Sequence, residues 1–194
     1  MKPVNKTEIV ITAASRTAVG SFGKSLKNIN AENLGSSVIS RLIKDLNIKK
    51  DEVDEIILGQ VLTAGSGQNT ARQAAIKSGI SKEVPAYVVN QVCGSGIRSV
   101  VSGCQSIISG DSKIIVAGGQ ENMSLAPHAI HLRNGKKLGG AELIDTMIKD
   151  GLWDAFHGYH MGVTAENVAE KFQITREEQD KFALNSQHKA IKAQ

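Results

Sequence analysis

The chain has 194 residues, of which 41% are hydrophobic and 22% charged, a composition typical of a globular protein with a substantial core. Its formal net charge is only +4, and the scattered basic residues are not interleaved with aromatic ones, so the sequence predicts no nucleic-acid partner. No apolar run approaches the length of a membrane helix and no apolar signal region precedes the first strand, so we expect no membrane association and a cytoplasmic location.

Strands and helices alternate in the sequence pattern of the first 120 residues. Apolar runs predict strands at residues 8–12, 54–61, 87–92 and 113–119. Apolar residues at helical spacing predict helices over about 31–46, 70–78 and 95–110. This order predicts an α/β sheet that helices cover on both faces. We assign residues 1–120 to a first domain.

Residues 121–194 form a second predicted domain of different composition. Its first part, up to residue 163, contains Met, His, Gly, Asn and the single Trp of the chain and has weak periodicity. Thr164 is predicted to cap a helix over residues 165–172, and Thr175 with Glu178 forms a capping box for another helix. The sequence ends within that last helix, so we expect the chain to be truncated.

Cys93 lies at a predicted corner between a strand and a helix. Gly94 and Gly96 allow a tight turn there, and the helix follows at once. A helix N-terminus favours a thiolate, and its unpaired N–H groups are able to stabilise an oxyanion. The corner therefore suits a nucleophile, and a buried inert cysteine is the alternative. Cys104 follows on the apolar face of the same helix, roughly 16 Å further along, too far for a disulfide, and we interpret it as a core residue.

Two other patterns suggest ligands but match them poorly. Residues 18–25 nearly fit a phosphate-binding loop, but Ala18 replaces its first glycine and no good helix follows Lys24, so a surface turn is favoured. Two His-x-x-His pairs occur at residues 128–131 and 157–160, without nearby cysteines or suitably spaced acidic residues. We therefore predict neither a metal site nor a bound cofactor.

Four segments, in this order along the chain, resemble segments of the thiolase family. They are Gly-Ser-Gly-Gln-Asn-Thr-Ala-Arg-Gln-Ala (65–74), Asn-Gln-Val-Cys-Gly-Ser-Gly-Ile-Arg-Ser (90–99), Ala-Gly-Gly-Gln-Glu-Asn-Met-Ser (117–124) and Gly-Tyr-His-Met-Gly-Val-Thr-Ala-Glu-Asn (158–167). They are similar to the dimer-interface segment, the acyl-accepting cysteine segment, a glycine-rich strand end and the loop domain of thiolases that make acetoacetyl-CoA. The resemblance implies a thiolase-type layered fold, with an N-terminal α/β domain and part of a loop domain.

The resemblance also implies an activity and the residues that perform it. The enzyme would condense two acetyl-CoA into acetoacetyl-CoA and CoA, or catalyse the reverse thiolysis, through an acetyl-cysteine intermediate. Cys93 matches the nucleophile, and its backbone N–H matches a donor of the oxyanion hole. Leu152, His160 and Met161 match positions that line the pantetheine and acyl pocket. Coenzyme A thioesters are then substrates, not cofactors.

The chain departs from the family by lacking three of its motifs, Asn-Glu-Ala-Phe, Gly-His-Pro and Cys-x-Gly. The histidine that activates the nucleophile and the second cysteine are therefore missing. Each such acid or base contributes roughly 10²–10⁴ in rate, so we expect this chain alone to be nearly inactive. Residues 125–140 resemble the loop that joins dimers into tetramers, and a homodimer or homotetramer is expected at full length. A solvated loop face is the alternative explanation of Arg133, Lys136 and Lys137.

The sequence leaves three other functions open. One is a degradative 3-ketoacyl-CoA thiolase for longer chains, although Met161 should crowd the acyl pocket and favour short ones. Another is a non-catalytic, thiolase-like fragment that binds acyl-CoA, which the intact surroundings of Cys93 disfavour. The third is a condensing enzyme of fatty-acid synthesis, for which a different loop sequence is expected.

Overall fold

The computed structural model describes residues 8–194, and the chain divides into two compact units. The first unit ends at Gly151 and the second spans Leu152–Gln194. The first contains α1 (Ala31–Leu46), β1 (Glu55–Gly59), α2 (Thr70–Lys77), β2 (Ala86–Val89), α3 (Ser95–Ser109), β3 (Ile115–Gly119), β4 (His128–Ala129) and β5 (Ile144–Asp145). The second contains α4 (Met161–Phe172) and α5 (Arg176–Ala193). The domain boundary at residue 120 stays a prediction.

The main sheet of the first unit has three parallel strands in the order β2-β1-β3. Ile56 and Leu58 of β1 point to one face and pack in a core cluster with residues of α1 and α2. Helix α3 packs on the opposite face, where a Cβ added at Gly103 would lie 3.3 Å from a methyl of Ile115. The predicted α/β sheet with helices on both faces is therefore confirmed.

The core lies between the sheet and helices α1 and α2. Ile39 of α1, Ile56 of β1 and Ala74 of α2 are each at most 1% exposed. Burying an aliphatic side chain of the size of isoleucine stabilises the fold by about 1.5–3 kcal/mol. The apolar stripe of α1 and the apolar run of β1, both recognised in the sequence, therefore supply the main stabilising contacts.

The predicted strand at residues 8–12 is wrong, because these residues have no regular secondary structure. Val10 and Ile11 are 66% and 79% exposed. A cavity of about 160 Å³ lies beside this segment and is also lined by Ile115 and Ala117 of β3. A strand forms only where its backbone pairs with a neighbour, and residues 8–12 have no such pairing in the described chain.

Cys104 lines the same cavity and is half-buried, so it is less enclosed than the core position predicted for it. Both cysteines are free thiols. The near-match to a phosphate-binding loop is a run of turns, as expected for a surface turn, and the next helix begins only at Ala31.

The start of α4 differs from the sequence prediction. His160, and not Thr164, is its N-terminal cap, and His160 Nδ1 accepts a hydrogen bond from the Gly162 N–H at 3.1 Å. The predicted capping box of α5 is confirmed, because Thr175 and Glu178 bond reciprocally between side chain and backbone. None of the helices in residues 8–194 is long and apolar enough to cross a membrane.

Asp54 should make the stability of the first unit depend on pH. Its Oδ2 accepts the N–H groups of Lys113 and Ile114 at 2.7 and 2.8 Å, just before β3. The hydrogen bonds from Ile114 and then Lys113 lower the pKa of Asp54 below its usual value. The ionised carboxylate therefore stabilises the fold above the unfolded-state pKa, and this stabilisation disappears as the pH falls through the folded-state pKa.

We accordingly expect Asp54→Ala to lower the Tm by about 2–4 °C at neutral pH, a modest shift because the carboxylate is exposed. The difference from the unmodified chain should shrink in acid, as followed by thermal unfolding at both pH values. Asp51→Ala is the matched control, since Asp51 is exposed and accepts no hydrogen bond within residues 8–194. A difference that grew in acid would contradict this role of Asp54.

Candidate active site

Cys93 lies in the turn between β2 and α3 and is exposed, so the alternative of a buried cysteine does not hold. Strand β2 ends at Val89, earlier than predicted, and α3 begins at Ser95. Between them Val92 has φ 49°, a left-handed conformation that is unusual for a β-branched residue. Such strained residues concentrate at functional sites. The predicted placement of Cys93 just before a helix N-terminus is confirmed.

Hydrogen bonds between neighbouring residues hold this turn in shape. Asn90 Oδ1 accepts the Val92 N–H at 2.9 Å. Ser95 Oγ accepts the Gln91 N–H at 2.8 Å and donates to the Val92 carbonyl oxygen at 2.6 Å. The Gly94 N–H donates to the Gln91 carbonyl oxygen at 3.0 Å. The strained turn is therefore fixed by its own polar groups, which limits the positions open to the cysteine.

Glycines let the N-terminus of α3 approach the ends of β1 and β3 closely. A Cβ added at Gly59 would lie 2.6 Å from the backbone nitrogen of Gly96, and one at Gly119 would lie 3.4 Å from the Gly96 Cα. The Oγ of Ser99, which is fully buried, lies 2.6 and 2.7 Å from the carbonyl oxygens of Gly96 and Gly118, which share its single O–H as a donor. The first turn of a helix has N–H groups without helical partners, so the start of α3 offers potential oxyanion donors a few residues after Cys93.

Glu121, which follows β3 by two residues, is a half-buried polar residue to which the sequence pattern gave no role. Its Oε2 accepts the N–H groups of Val61 and Leu62, just after β1, at 2.8 and 3.2 Å. Burial raises the pKa of Glu121 in spite of these hydrogen bonds. The sequence did contain a signal for this residue, because a carboxylate directly after a buried, glycine-rich strand needs hydrogen-bond partners.

The second unit contains the three residues predicted to line the acyl pocket. An isolated antiparallel bridge pairs Trp153 with His160; Leu152 precedes Trp153 at the end of a helical turn, and Met161 follows His160 at the start of α4. Asp154 Oδ1 shapes the intervening turn by accepting the N–H groups of Phe156 and His157, at 2.8 and 2.7 Å. These hydrogen bonds lower the pKa of Asp154 below its usual value, and the bond from His157 has the larger effect. Leu152 and Met161 are half-buried, whereas His160 is exposed. Their role in binding stays a prediction.

The other histidines do not combine into a ligand set. His128 Nε2 lies 3.8 Å from Asp145 Oδ2, and His157 Nδ1 lies 3.3 Å from Asp154 Oδ1. Across residues 8–194 no group of three or more potential ligand side chains is close enough to hold a metal ion.

Fold and site together define an α/β protein that presents an exposed cysteine at the N-terminus of a helix. The chain belongs to the thiolase family, because residues 9–194 match the family described as "Thiolase, N-terminal domain". The resemblance found in the sequence, and the fold class it implied, are thereby confirmed.

Several known proteins similar to this chain carry the name acetyl-CoA acetyltransferase. One from Rhizobium meliloti is 58% identical over 98% of this chain and 49% of its own length. One from Pseudomonas aeruginosa is 60% identical over 96% of this chain and 48% of its own length. The crystal structure of the Bacillus anthracis acetyl-CoA acetyltransferase has a TM-score of 0.89 at 41% identity, covering 95% of this chain and 47% of that one. The chain therefore spans about half the length of the relatives it matches.

Proposed function

We propose that this chain supplies the nucleophile of an acyltransferase that condenses two acetyl-CoA into acetoacetyl-CoA and CoA, and that catalyses the reverse thiolysis. The observation that carries the proposal is the exposed Cys93 before the N-terminus of α3, packed closely against the sheet. The relatives named acetyl-CoA acetyltransferase support this substrate.

The mechanism begins with attack of the Cys93 thiolate on the carbonyl carbon of acetyl-CoA. The carbonyl electrons move to oxygen, and the Cys93 N–H is one donor to this oxyanion. When the carbonyl re-forms, the bond to the CoA sulfur breaks, and CoA leaves as a thiolate that takes up a proton. The acetyl group is then held as a thioester on Cys93.

In the second step another acetyl-CoA loses a proton from its methyl group, and the resulting carbanion attacks the acetyl-cysteine. A new carbon–carbon bond forms, the bond to Cys93 Sγ breaks, and acetoacetyl-CoA leaves. The family motifs that carry the activating histidine and the second cysteine are absent from this sequence. We therefore propose that residues 1–194 alone are nearly inactive, and that their activity has to be measured in a completed enzyme.

A suitable completed enzyme joins Gln194 to the C-terminal half of the Rhizobium meliloti relative. We expect it to cleave acetoacetyl-CoA at least about tenfold faster than a long-chain 3-ketoacyl-CoA, because Met161 should shorten the pocket, and one methylene is worth about 1–3 kcal/mol of discrimination. Thiolysis of both substrates by the parent enzyme measures this ratio. Comparable turnover would instead support the degradative alternative, a 3-ketoacyl-CoA thiolase.

Met161→Ala should move this preference toward the longer substrate. Val163→Ala is the matched control on the same helix, because Val163 is 44% exposed and has no assigned place in the pocket. A completed enzyme that folds and binds acetyl-CoA, but forms no acetyl-enzyme, would support the non-catalytic alternative, in which the thiolase-like chain only binds acyl-CoA.

A homodimer or homotetramer is also part of the proposal. Leu132, Leu138 and Leu143 follow one another along the loop between β4 and β5 and are 53%, 91% and 59% exposed. Apolar side chains exposed in succession are typical of a surface that another chain covers. We place the enzyme in the cytoplasm, where reduced cysteines such as Cys93 and Cys104 are the rule.

A further inference from the structure

Glu121 is connected by hydrogen bonds to the side chain that shapes the cysteine turn. Its Oε2 accepts the N–H groups of Val61 and Leu62, which fixes the backbone just after β1. The Val61 carbonyl oxygen in turn accepts a hydrogen bond from Asn90 Nδ2, at 3.5 Å the longest contact of the series. The carboxylate of Glu121 is therefore linked to Asn90 through the backbone of residues 61–62, although sixty positions of sequence separate Val61 from Glu121.

Asn90 continues the series to the residue before the cysteine. Its Oδ1 accepts the Val92 N–H at 2.9 Å, which supports the left-handed conformation of Val92. The Val92 carbonyl oxygen accepts both the N–H and the Oγ–H of Ser95, at 3.1 and 2.6 Å. The backbone on both sides of Cys93 is thus held by this one series of hydrogen bonds.

The surroundings of Glu121 indicate that its place is not explained by stability alone. Its Oε1 is buried and has no hydrogen-bond partner in the part of the chain that the structure describes. No lysine, arginine or histidine within residues 8–194 forms an ion pair with Glu121. Removing a carboxylate from water costs free energy that two backbone hydrogen bonds offset only in part. Such a costly group calls for a function.

We propose that Glu121 is a positioning residue for Cys93. By fixing residues 61–62 it fixes Asn90, and Asn90 holds Val92 in the conformation that keeps Cys93 at the N-terminus of α3. The inference rests on the proposed role of Cys93 as the nucleophile. It adds a residue that follows the end of β3 and determines how accurately Cys93 is positioned.

The test is the rate at which iodoacetamide alkylates Cys93 in this chain, read by peptide mass spectrometry, with Cys104 as the internal reference. Glu121→Ala should slow the alkylation of Cys93 relative to Cys104 by about threefold, because the turn that holds Cys93 beside the start of α3 loses part of its hydrogen-bonded support. Glu121→Gln keeps one acceptor for the two N–H groups and should restore the ratio to within about 1.5-fold of the unmodified chain.

Asn90→Ala interrupts the same series at an exposed residue and should reproduce the effect of Glu121→Ala. The double variant should then be no slower than either single one, since groups that act in one series are not additive. Glu32→Ala is the matched control. Glu32 is a buried carboxylate bonded to Lys77 at 3.0 Å and to Asn30 at 3.1 Å, so its removal should lower thermal stability without changing the ratio of alkylation rates.

An unchanged ratio in folded Glu121→Ala, or in Asn90→Ala if Glu121→Ala does not fold, would overturn the inference. Equal slowing of Cys93 in Glu32→Ala would overturn it as well, because the effect would then reflect general destabilisation. The proposed function fails by a separate result, which is that acetyl-CoA does not acetylate Cys93 in the completed enzyme. The alkylation ratio decides the role of Glu121 in either case.

Discussion

Gly59→Ala is expected to destabilise the first unit by about 3 kcal/mol or more, the upper range for overpacking a core position. The added methyl would meet the backbone of Ser95 and Gly96 at the start of α3, and backbone atoms in a packed helix cannot move aside as a flexible side chain does. A loss of this size lowers the Tm by roughly 10 °C, which thermal unfolding followed by circular dichroism would detect.

Gly118→Ala provides the matched control for this substitution. Gly118 lies on β3 and pairs with Leu58, directly beside Gly119, which pairs with Gly59. A Cβ added at Gly118 would have no atom within 4 Å. We expect it to change stability by no more than about 0.5 kcal/mol. If Gly59→Ala were as stable as Gly118→Ala, the close approach of α3 to the sheet would not be needed to place the cysteine turn.

Cys93→Ala is expected to lower the thiolysis rate of the completed enzyme by about 10⁴–10⁶, the loss typical of removing a catalytic nucleophile. The initial rate of acetoacetyl-CoA cleavage at saturating CoA measures this change. Folding should be unaffected, because Cys93 is exposed and packs against little.

Cys104→Ala controls for the loss of a thiol as such. Cys104 is half-buried along α3, away from the turn, and its replacement should leave the rate within about threefold of the parent enzyme. Equal losses in the two variants would show that Cys93 matters for structure and not for acyl transfer.

The parts of this fold that were predictable from sequence are those that depend on local patterns. The apolar stripe of α1 and the capping box of α5 each determine an element from neighbouring residues, and both were recognised. The corner at Cys93 was equally local. Sequence pattern failed at residues 8–12, where an apolar run was present but pairing with another strand was not.

The missed features depend on contacts between distant parts of the chain. Gly59 looks like an ordinary strand residue until α3 packs on it, and Glu121 acquires its hydrogen bonds only when β1 and β3 lie side by side. The pairing of Trp153 with His160 depends on the turn that Asp154 shapes. An aspartate that bonds the backbone two and three residues ahead is a known turn signal, so this turn was in principle predictable.

The central claim, that Cys93 is the thiol that carries the acyl group, is tested most directly by trapping the acyl-enzyme. The completed enzyme is mixed with acetyl-CoA alone, quenched in acid, digested and examined by mass spectrometry. We expect one added acetyl group on the peptide that contains Cys93, and none in Cys93→Ala. An acetyl group on Cys104, or an enzyme that turns over while Cys93 stays unmodified, would contradict it.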